Sequence, residues 1–365
     1  MIIPMDGFRK TRRIIIISII NLVIFSLIAG WYFFIFQADQ TIQKGSQAQI
    51  IPTVPAQLSI PQHTLTVHAK ITQVITAQNL GFSIMPDGNL IYFDAQKDAF
   101  AMYNTTTQAT VMVPGGSFTG INHIVWSPSG TWEVLFGNGQ VQSFDAATQQ
   151  ITSLNPRIDS VSFADTLPDI FYNFFDGNNS SLSFSRANGS SWQNLAVISG
   201  FGPLHVTSSP DNQFIAFNIV QDQNSPLYLF NVASGKYRAA ITDGNNVALG
   251  WSPDGKYVLF THTINGGEPT LSLLNIYAGD RIDFKYNIEQ ASFSPDSSTI
   301  MIVSMNGTDH LMHLIDLNSM SALDIPLTGI SADSRVQYVK SAFTPQGKLI
   351  IYFSTPSGIY EVTFS

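Results

Sequence analysis

The chain contains no cysteine among its 365 residues. Disulfide scaffolding and thiolate chemistry are thereby excluded, although the compartment is left open. Charge is scarce as well. Asp, Glu, Lys and Arg make up 12% of the chain, and 17 basic against 25 acidic residues give a formal net charge of −8. A nucleic-acid surface needs a basic excess, so nucleic acid is excluded as a partner. No nucleophile elbow, no Gly-rich phosphate loop and no carboxylate pair at a defined spacing occurs. Uncharged hydrophobic runs are also rare, with one exception at the amino-terminal end.

That exception is "IIIISIINLVIFSLIAGWYFFIF" (14–36), 23 residues without a charge, preceded by "RKTRR" (9–13). As a helix it would span about 35 Å, enough for a hydrocarbon core of about 30 Å. It is longer than the apolar core of a secretory signal, and no clean Ala-x-Ala cleavage site follows. We therefore expect an uncleaved transmembrane α-helix, held in lipid, with Trp31 and Tyr32 near the outer interface. Arg9, Lys10, Arg12 and Arg13 should keep residues 1–13 cytoplasmic. The remaining chain carries 13 basic and 24 acidic residues, which suits a domain on the far side of the membrane. Residues 37–62 are rich in Gln, contain Pro52, Pro55 and Pro61, and read as a linker.

The rest of the chain is repetitive. In "WSPDGKYVLF" (251–260) an apolar run is cut by Ser-Pro-Asp-Gly and then resumes. Pro253 fixes φ and lacks an N–H, which suits the second position of a tight turn, and Asp254 and Gly255 complete it. The unit reads strand, turn, strand. Its relatives are "SIMPDGNLIYF" (83–93), "WSPSGTWEVLF" (126–136), "SSPDNQFIAF" (208–217), "FSPDSSTIMIV" (293–303) and "FTPQGKLIIYF" (343–353). The turn prolines, from Pro86 to Pro345, are separated by 42, 82, 43, 42 and 50 residues. The doubled gap predicts a degenerate copy at "FADTLPDIFY" (163–172), with Asp165 in place of the proline. Between the turns, segments such as "LYLFNVASGKYRAAIT" (227–242) supply two further strands. Four strands in roughly 42 residues, seven times over, predict an all-β seven-bladed β-propeller over residues 63–365. The last copy keeps only "GIYEVTFS" (358–365) after its turn. A sheet edge left open is a liability, so residues 64–71, "TLTVHAKI", are expected to close the last blade.

These repeats resemble those of the TolB-like, WD-repeat-like propeller family, whose unit carries W-S-P-D-G-K-x-[IVL]-x-F. The resemblance covers about 300 residues. It implies a propeller that serves as a protein- or ligand-binding platform outside the cytoplasm. The Gly-His and Trp-Asp pairs of ordinary WD repeats are missing, and neither a TolB-type amino-terminal domain nor the peptidase domain of some relatives has a counterpart here.

Position within the repeat selects candidate site residues. Residues two and four before each turn proline, such as Trp251 and Leu249 or Phe343 and Ser341, should pack between blades. Residues five before it should face the central channel. They are Gly81, His123, Ser160, His205, Ala248, Gln290 and Lys340. Of these, His123, His205, Gln290 and Lys340 are the ligand-binding candidates. Two imidazoles without a carboxylate make a poor metal site, so wet channel walls are the expectation, with no metal, catalytic residue or cofactor assigned. "HLMH" (310–313) places its histidines on opposite faces of a strand. "DGNNSS" (176–181) lacks the alternating acids of a calcium loop. "SPSGTW" (127–132) lacks the Asp of a sialidase Asp box. Asn104, Asn178, Asn179, Asn188 and Asn306 stand in glycosylation sequons, which matter only if the source glycosylates.

With inner strands poor in acids, the sequence favours a single-pass, membrane-anchored, extracytoplasmic binding or scaffold module, with a protein or small-ligand partner on one propeller face. The alternative is a hydrolase or lyase with its site at the channel mouth. External protease should digest residues 63–365 in intact spheroplasts, and the protein should remain with membranes through a carbonate wash. Protection of the domain would reverse the orientation.

Overall fold

The Ser-Pro-Asp-Gly turn is held by its own side chains. In the fifth blade Ser252 Oγ donates to Asp254 Oδ1 at 2.6 Å and accepts from Tyr257 N–H at 2.9 Å. Gly255 lies at φ 72°, where a Cβ would be strained. The fourth and sixth blades repeat this with Ser209 and Asp211, and with Ser294 and Asp296. In five of the blades the hydroxyl before the proline thus bonds a backbone N–H that the turn would otherwise leave unpaired. This is the reason the serine recurs with the proline.

The computed structural model describes Pro55–Ala56 and residues 69–364, except 116–117, 165–167, 221–223, 265 and 332. The described strands form seven sheets. Each holds four consecutive antiparallel strands, save two sheets that recruit residues from near the start of the domain. The innermost strands, in blade order, are Asn79–Ile84, Ile121–Trp126, Ile158–Phe163, Leu204–Ser208, Asn245–Trp251, Ile288–Phe293 and Tyr338–Phe343. The seven-bladed propeller is therefore present. The degenerate repeat forms its third blade, with Ala164 where five of the other six turns carry serine or threonine and Ala164 N–H bonded to the Asp169 carbonyl.

The expected helix at 14–36 and the basic tail lie outside the described residues. Among the described residues no helix is long and apolar enough to cross a membrane. The stretch expected to be a linker contributes one pairing, because Pro55–Ala56 add in parallel to Arg281–Ile282 at the outer edge of the fifth blade.

The hydrophobic core is divided among the interfaces between blades. Seven buried clusters occur, one per pair of adjacent blades. Phe82, Tyr92, Tyr352 and Ile359 fill the interface where the last blade meets the first. Trp251 reaches across an interface to donate its indole N–H to the Thr207 carbonyl at 3.0 Å.

Ring closure uses the strand Ala69–Ile75, which shares residues 69–71 with the expected 64–71 and runs on to Ile75. It pairs antiparallel with Gly358–Phe364, from Ala69 opposite Phe364 to Ile75 opposite Ile359. The offset follows from the length of the connection. Outer strands run on to the next inner strand through short links, for example 155–157, 242–244 and 285–287. The inner strand of the first blade begins at Asn79, so the closing strand has to end near Ile75. Residues 64–68 lie outside the described residues.

The closing strand lies close over Gly358. A Cβ there would stand 2.6 Å from the Ile75 carbonyl oxygen and would collide with the Gln73 side-chain amide. Gly358→Ala should lower stability by about 1–3 kcal/mol and expose an aggregation-prone edge. Denaturant melts and light scattering check this. A variant as stable as the parent would show that closure does not depend on this approach.

Candidate functional site

A central cavity of about 810 Å3 is lined by inner strands of several blades. A second, of about 540 Å3, opens at the mouth where the inner strands begin. His123 and Tyr338 border both. The structure brings His123, His205 and Lys340 to the first cavity and Gln290, with His123, to the second. Two of the expected channel positions do not face it. Ala248 is fully buried in an interface cluster, and Gly81 is buried under Tyr338.

The cause is a set of β-bulges. Inner-strand pairing shifts between Asn79 and Phe82, Ile121 and His123, Ile158 and Ser160, Ala248 and Gly250, and Ile288 and Gln290. Each shift breaks the twofold alternation and re-aims a side chain. Leu249, expected between blades, is 40% exposed and lines the cavity. Phe343, also expected between blades, is 42% exposed. Asp159 and Glu289, which strict alternation points away from the bore, enter the cavity and the mouth respectively. The expectation that no carboxylate joins the histidines is thereby corrected. The missed signal was positional: both acids stand six residues before the turn position.

The electrostatics follow from confinement. Asp159 is exposed to the cavity yet flanked by protein, and desolvation raises its pKa to about 6 against the hydrogen bond from Asn173 Nδ2 at 2.7 Å. Burial lowers the pKa of His123. It lowers that of His205 too, with His123 adding to the effect. His205 Nε2 lies 2.9 Å from the Ala248 carbonyl, so the neutral ring donates there and presents Nδ1 as an acceptor.

Lys340 bridges three blades. Its Nζ donates to Ser83 Oγ at 3.0 Å, and Ser83 Oγ donates to the Ser127 carbonyl at 3.0 Å. Desolvation lowers the Lys340 pKa to about 8, opposed by the charge of Glu133. Glu133 is fully buried, and neither carboxylate oxygen has a hydrogen-bond partner among the described residues. Burial, then Asp145, pushes its pKa well up.

At the mouth, Glu289 Oε2 accepts from His310 Nδ1 at 2.9 Å, and the His310 Nε2 faces the Ser331 carbonyl at 3.2 Å. The Glu289 side chain is 7% exposed, yet its Oε1 has no partner among the described residues. Gln337 Oε1 is likewise buried and unpaired. Asn122, Glu268 and Arg335 complete the rim.

The two histidines of "HLMH" point to opposite faces, as expected. His313 joins Ser304 Oγ and Asp324 Oδ1, each at 2.7 Å, in the order of a Ser-His-Asp relay. Ser304 is 4% exposed and Tyr286 stacks on His313 at 3.9 Å, so a substrate carbonyl has no approach. Among the described residues no group of three His, Cys, Asp or Glu is arranged to hold a metal.

No protein family matches the chain, and no curated protein matches it in sequence. Solved structures do. An oligogalacturonate lyase in complex with manganese superposes with a TM-score of 0.63 at 12% identity, covering 86% of this chain and 97% of that one. An oligogalacturonate lyase from Vibrio parahaemolyticus gives 0.61 at 12% identity over 83% and 98%. One of two prolyl endopeptidases gives 0.55 at 8% identity, over 80% of this chain and 51% of that one. At these identities the likeness establishes the seven-bladed propeller fold.

Lys340→Met should test the half-buried charge. A lysine whose folded pKa is near 8, below the ordinary 10.5, destabilises the fold while charged. That penalty is full below pH 8 and disappears as pH rises through 10.5. The variant should gain up to about 3 kcal/mol at neutral pH, and the gain should shrink above pH 8. Paired melts across pH measure it; a uniform loss would make Lys340 a needed structural cation.

Proposed function

We propose that this chain is a membrane-anchored extracytoplasmic propeller that binds an acidic hydroxylated ligand, such as a sugar acid, at its channel mouth. The observation that carries this reading is the pair of buried acceptors without partners, Glu289 Oε1 and Gln337 Oε1, beside the exposed guanidinium of Arg335. Buried acceptors left unpaired are costly, and ligand hydroxyls would satisfy them. Arg335 makes no ion pair with the described residues and suits a carboxylate. The anchor and its orientation rest on the basic tail and the uncharged run.

A second reading, a lyase or hydrolase, is favoured by one observation. Asp159 and Lys340, with pKa values near 6 and 8, line the same cavity, and groups poised around neutrality are what proton transfer requires. The similar lyases support it by fold alone. The described residues offer no ligand set for a manganese ion, so no step is routed through one.

Trigalacturonate is a suitable probe. Calorimetry should show saturable binding, weakened at least about tenfold by Arg335→Ala or Gln337→Leu, with no new chromophore formed. Release of an unsaturated uronate, abolished by Asp159→Asn, would establish the lyase reading instead. Absence of any binding heat would overturn the proposed ligand class.

A further inference from the structure

The interface between the second and third blades is built differently from the next one round. On the third strand of the third blade, Asn179–Arg186, Leu182 and Phe184 pack toward the fourth blade. Ser181, Ser183 and Ser185 therefore face the second, opposite Phe174, Tyr172 and Ile170 on the neighbouring strand. The corresponding strand of the fourth blade presents Tyr228 and Phe230 to the third. Small hydroxyls thus stand where the next interface carries rings. The space they leave is a cleft of about 520 Å3, within the range of small-molecule sites.

Its lining is uncharged, which separates it from the channel mouth. Asn155, Asn188 and Asn194 supply amides along the rim, and the serines supply hydroxyls that both donate and accept. Trp192 also lines the cleft and is 64% exposed. The Ser185 hydroxyl donates to the Arg186 carbonyl at 2.9 Å, and the Tyr172 hydroxyl, in a side chain 5% exposed, has Ser183, Ser185 and Trp192 beside it. The indole borders the cleft beside that hydroxyl while most of its surface stays exposed. An exposed aromatic beside neutral hydrogen-bonding groups is a platform for a ring with apolar faces and a hydroxylated rim.

We propose that this cleft binds an uncharged saccharide, with one sugar ring on Trp192 and its hydroxyls bonded to Ser181 and the asparagine rim. The site is separate from the channel mouth, and the absence of charge excludes the acidic ligand considered there. Adding a hydrophobic side chain at Ser183 would fill the cleft while keeping the strand pairing.

The test uses the full chain in detergent, titrated with neutral cellotriose, xylotriose, maltotriose and tri-N-acetylchitotriose and followed by tryptophan fluorescence. At least one trisaccharide should give a saturable change below about 10 mM. Trp192→Ala should remove that change. Ser183→Leu should weaken binding at least about tenfold, as read by calorimetry, with an unchanged or higher melting temperature. Arg335→Ala should bind the trisaccharide as the parent does, so a failure at the mouth is not mistaken for a failure here. No saturable change with any of the four, or binding that survives Trp192→Ala, overturns the proposal. Displacement of the sugar by an unrelated peptide at equal affinity would also overturn it, by assigning the cleft to peptides.

Discussion

Everything in the ring depends on one pairing, between Ala69–Ile75 and Gly358–Phe364. Blades contact only their neighbours, so a chain of seven would otherwise end in two open interfaces. The antiparallel seam joins the two ends of the described chain in one sheet. It lies beside further links that cross the same junction. Asn79 Nδ2 donates to the Thr355 carbonyl at 2.9 Å, and Lys340, Ser83 and Ser127 connect the seventh, first and second blades. Opening the seam would expose the cluster around Phe82 and Tyr352 to water and would also leave the half-buried Lys340 without its acceptor. Apolar and polar terms therefore act together there.

Closure also shapes the bore. Seven inner strands that meet around an axis converge where they begin, and a regular strand would crowd side chains into that space. The bulges in five of these strands relieve the crowding and turn Asn122, Asp159 and Glu289 inward. The same irregularity that fits the strands together supplies the channel with acids. Desolvation then does the rest. It pushes Asp159 up and Lys340 down, and both shifts arise from enclosure rather than from a dedicated charge partner.

Much of the architecture was legible because proline and serine have local reasons to be where they are. The turn requires a fixed φ and, in most copies, an acceptor for a stranded N–H, so Ser-Pro-Asp-Gly and its variants marked six blades, and the doubled spacing marked the seventh. The closing strand was legible at residues 69–71 but its carboxyl end at Ile75 was not, because alternation in "TLTVHAKI" reports a strand but not its ends. Those ends are set by the short link to Asn79. Site residues were less legible. Counting five back from each proline assumes one residue per pleat, and a single inserted residue reverses the face. Hence His123, His205, Gln290 and Lys340 reached the cavities while Ala248 and Gly81 did not, and Asp159 and Glu289 went unnoticed. A bulge has little sequence signature of its own when, as at Asp159, no glycine marks it.

The division of the core into interface clusters explains how such irregularities persist. In a fold with one continuous core, a row of serines such as Ser181, Ser183 and Ser185 would loosen packing throughout. Here the loss is confined to one interface, because the buried Leu182 and the half-buried Phe184 on the same strand pack on its other side. The cavity term scales with local volume, and the remaining interfaces are untouched. The buried Glu133 and the half-buried Lys340 are contained in the same way. A propeller of this kind can hold a charged mouth and a neutral lateral cleft at once, since neither lies within the packing unit of the other. Their chemistries differ because their walls do. The mouth is built from bulged strand starts carrying acids, with an arginine from the segment before the last inner strand, whereas the cleft lies where alternation along Asn179–Arg186 places small hydroxyls on one face.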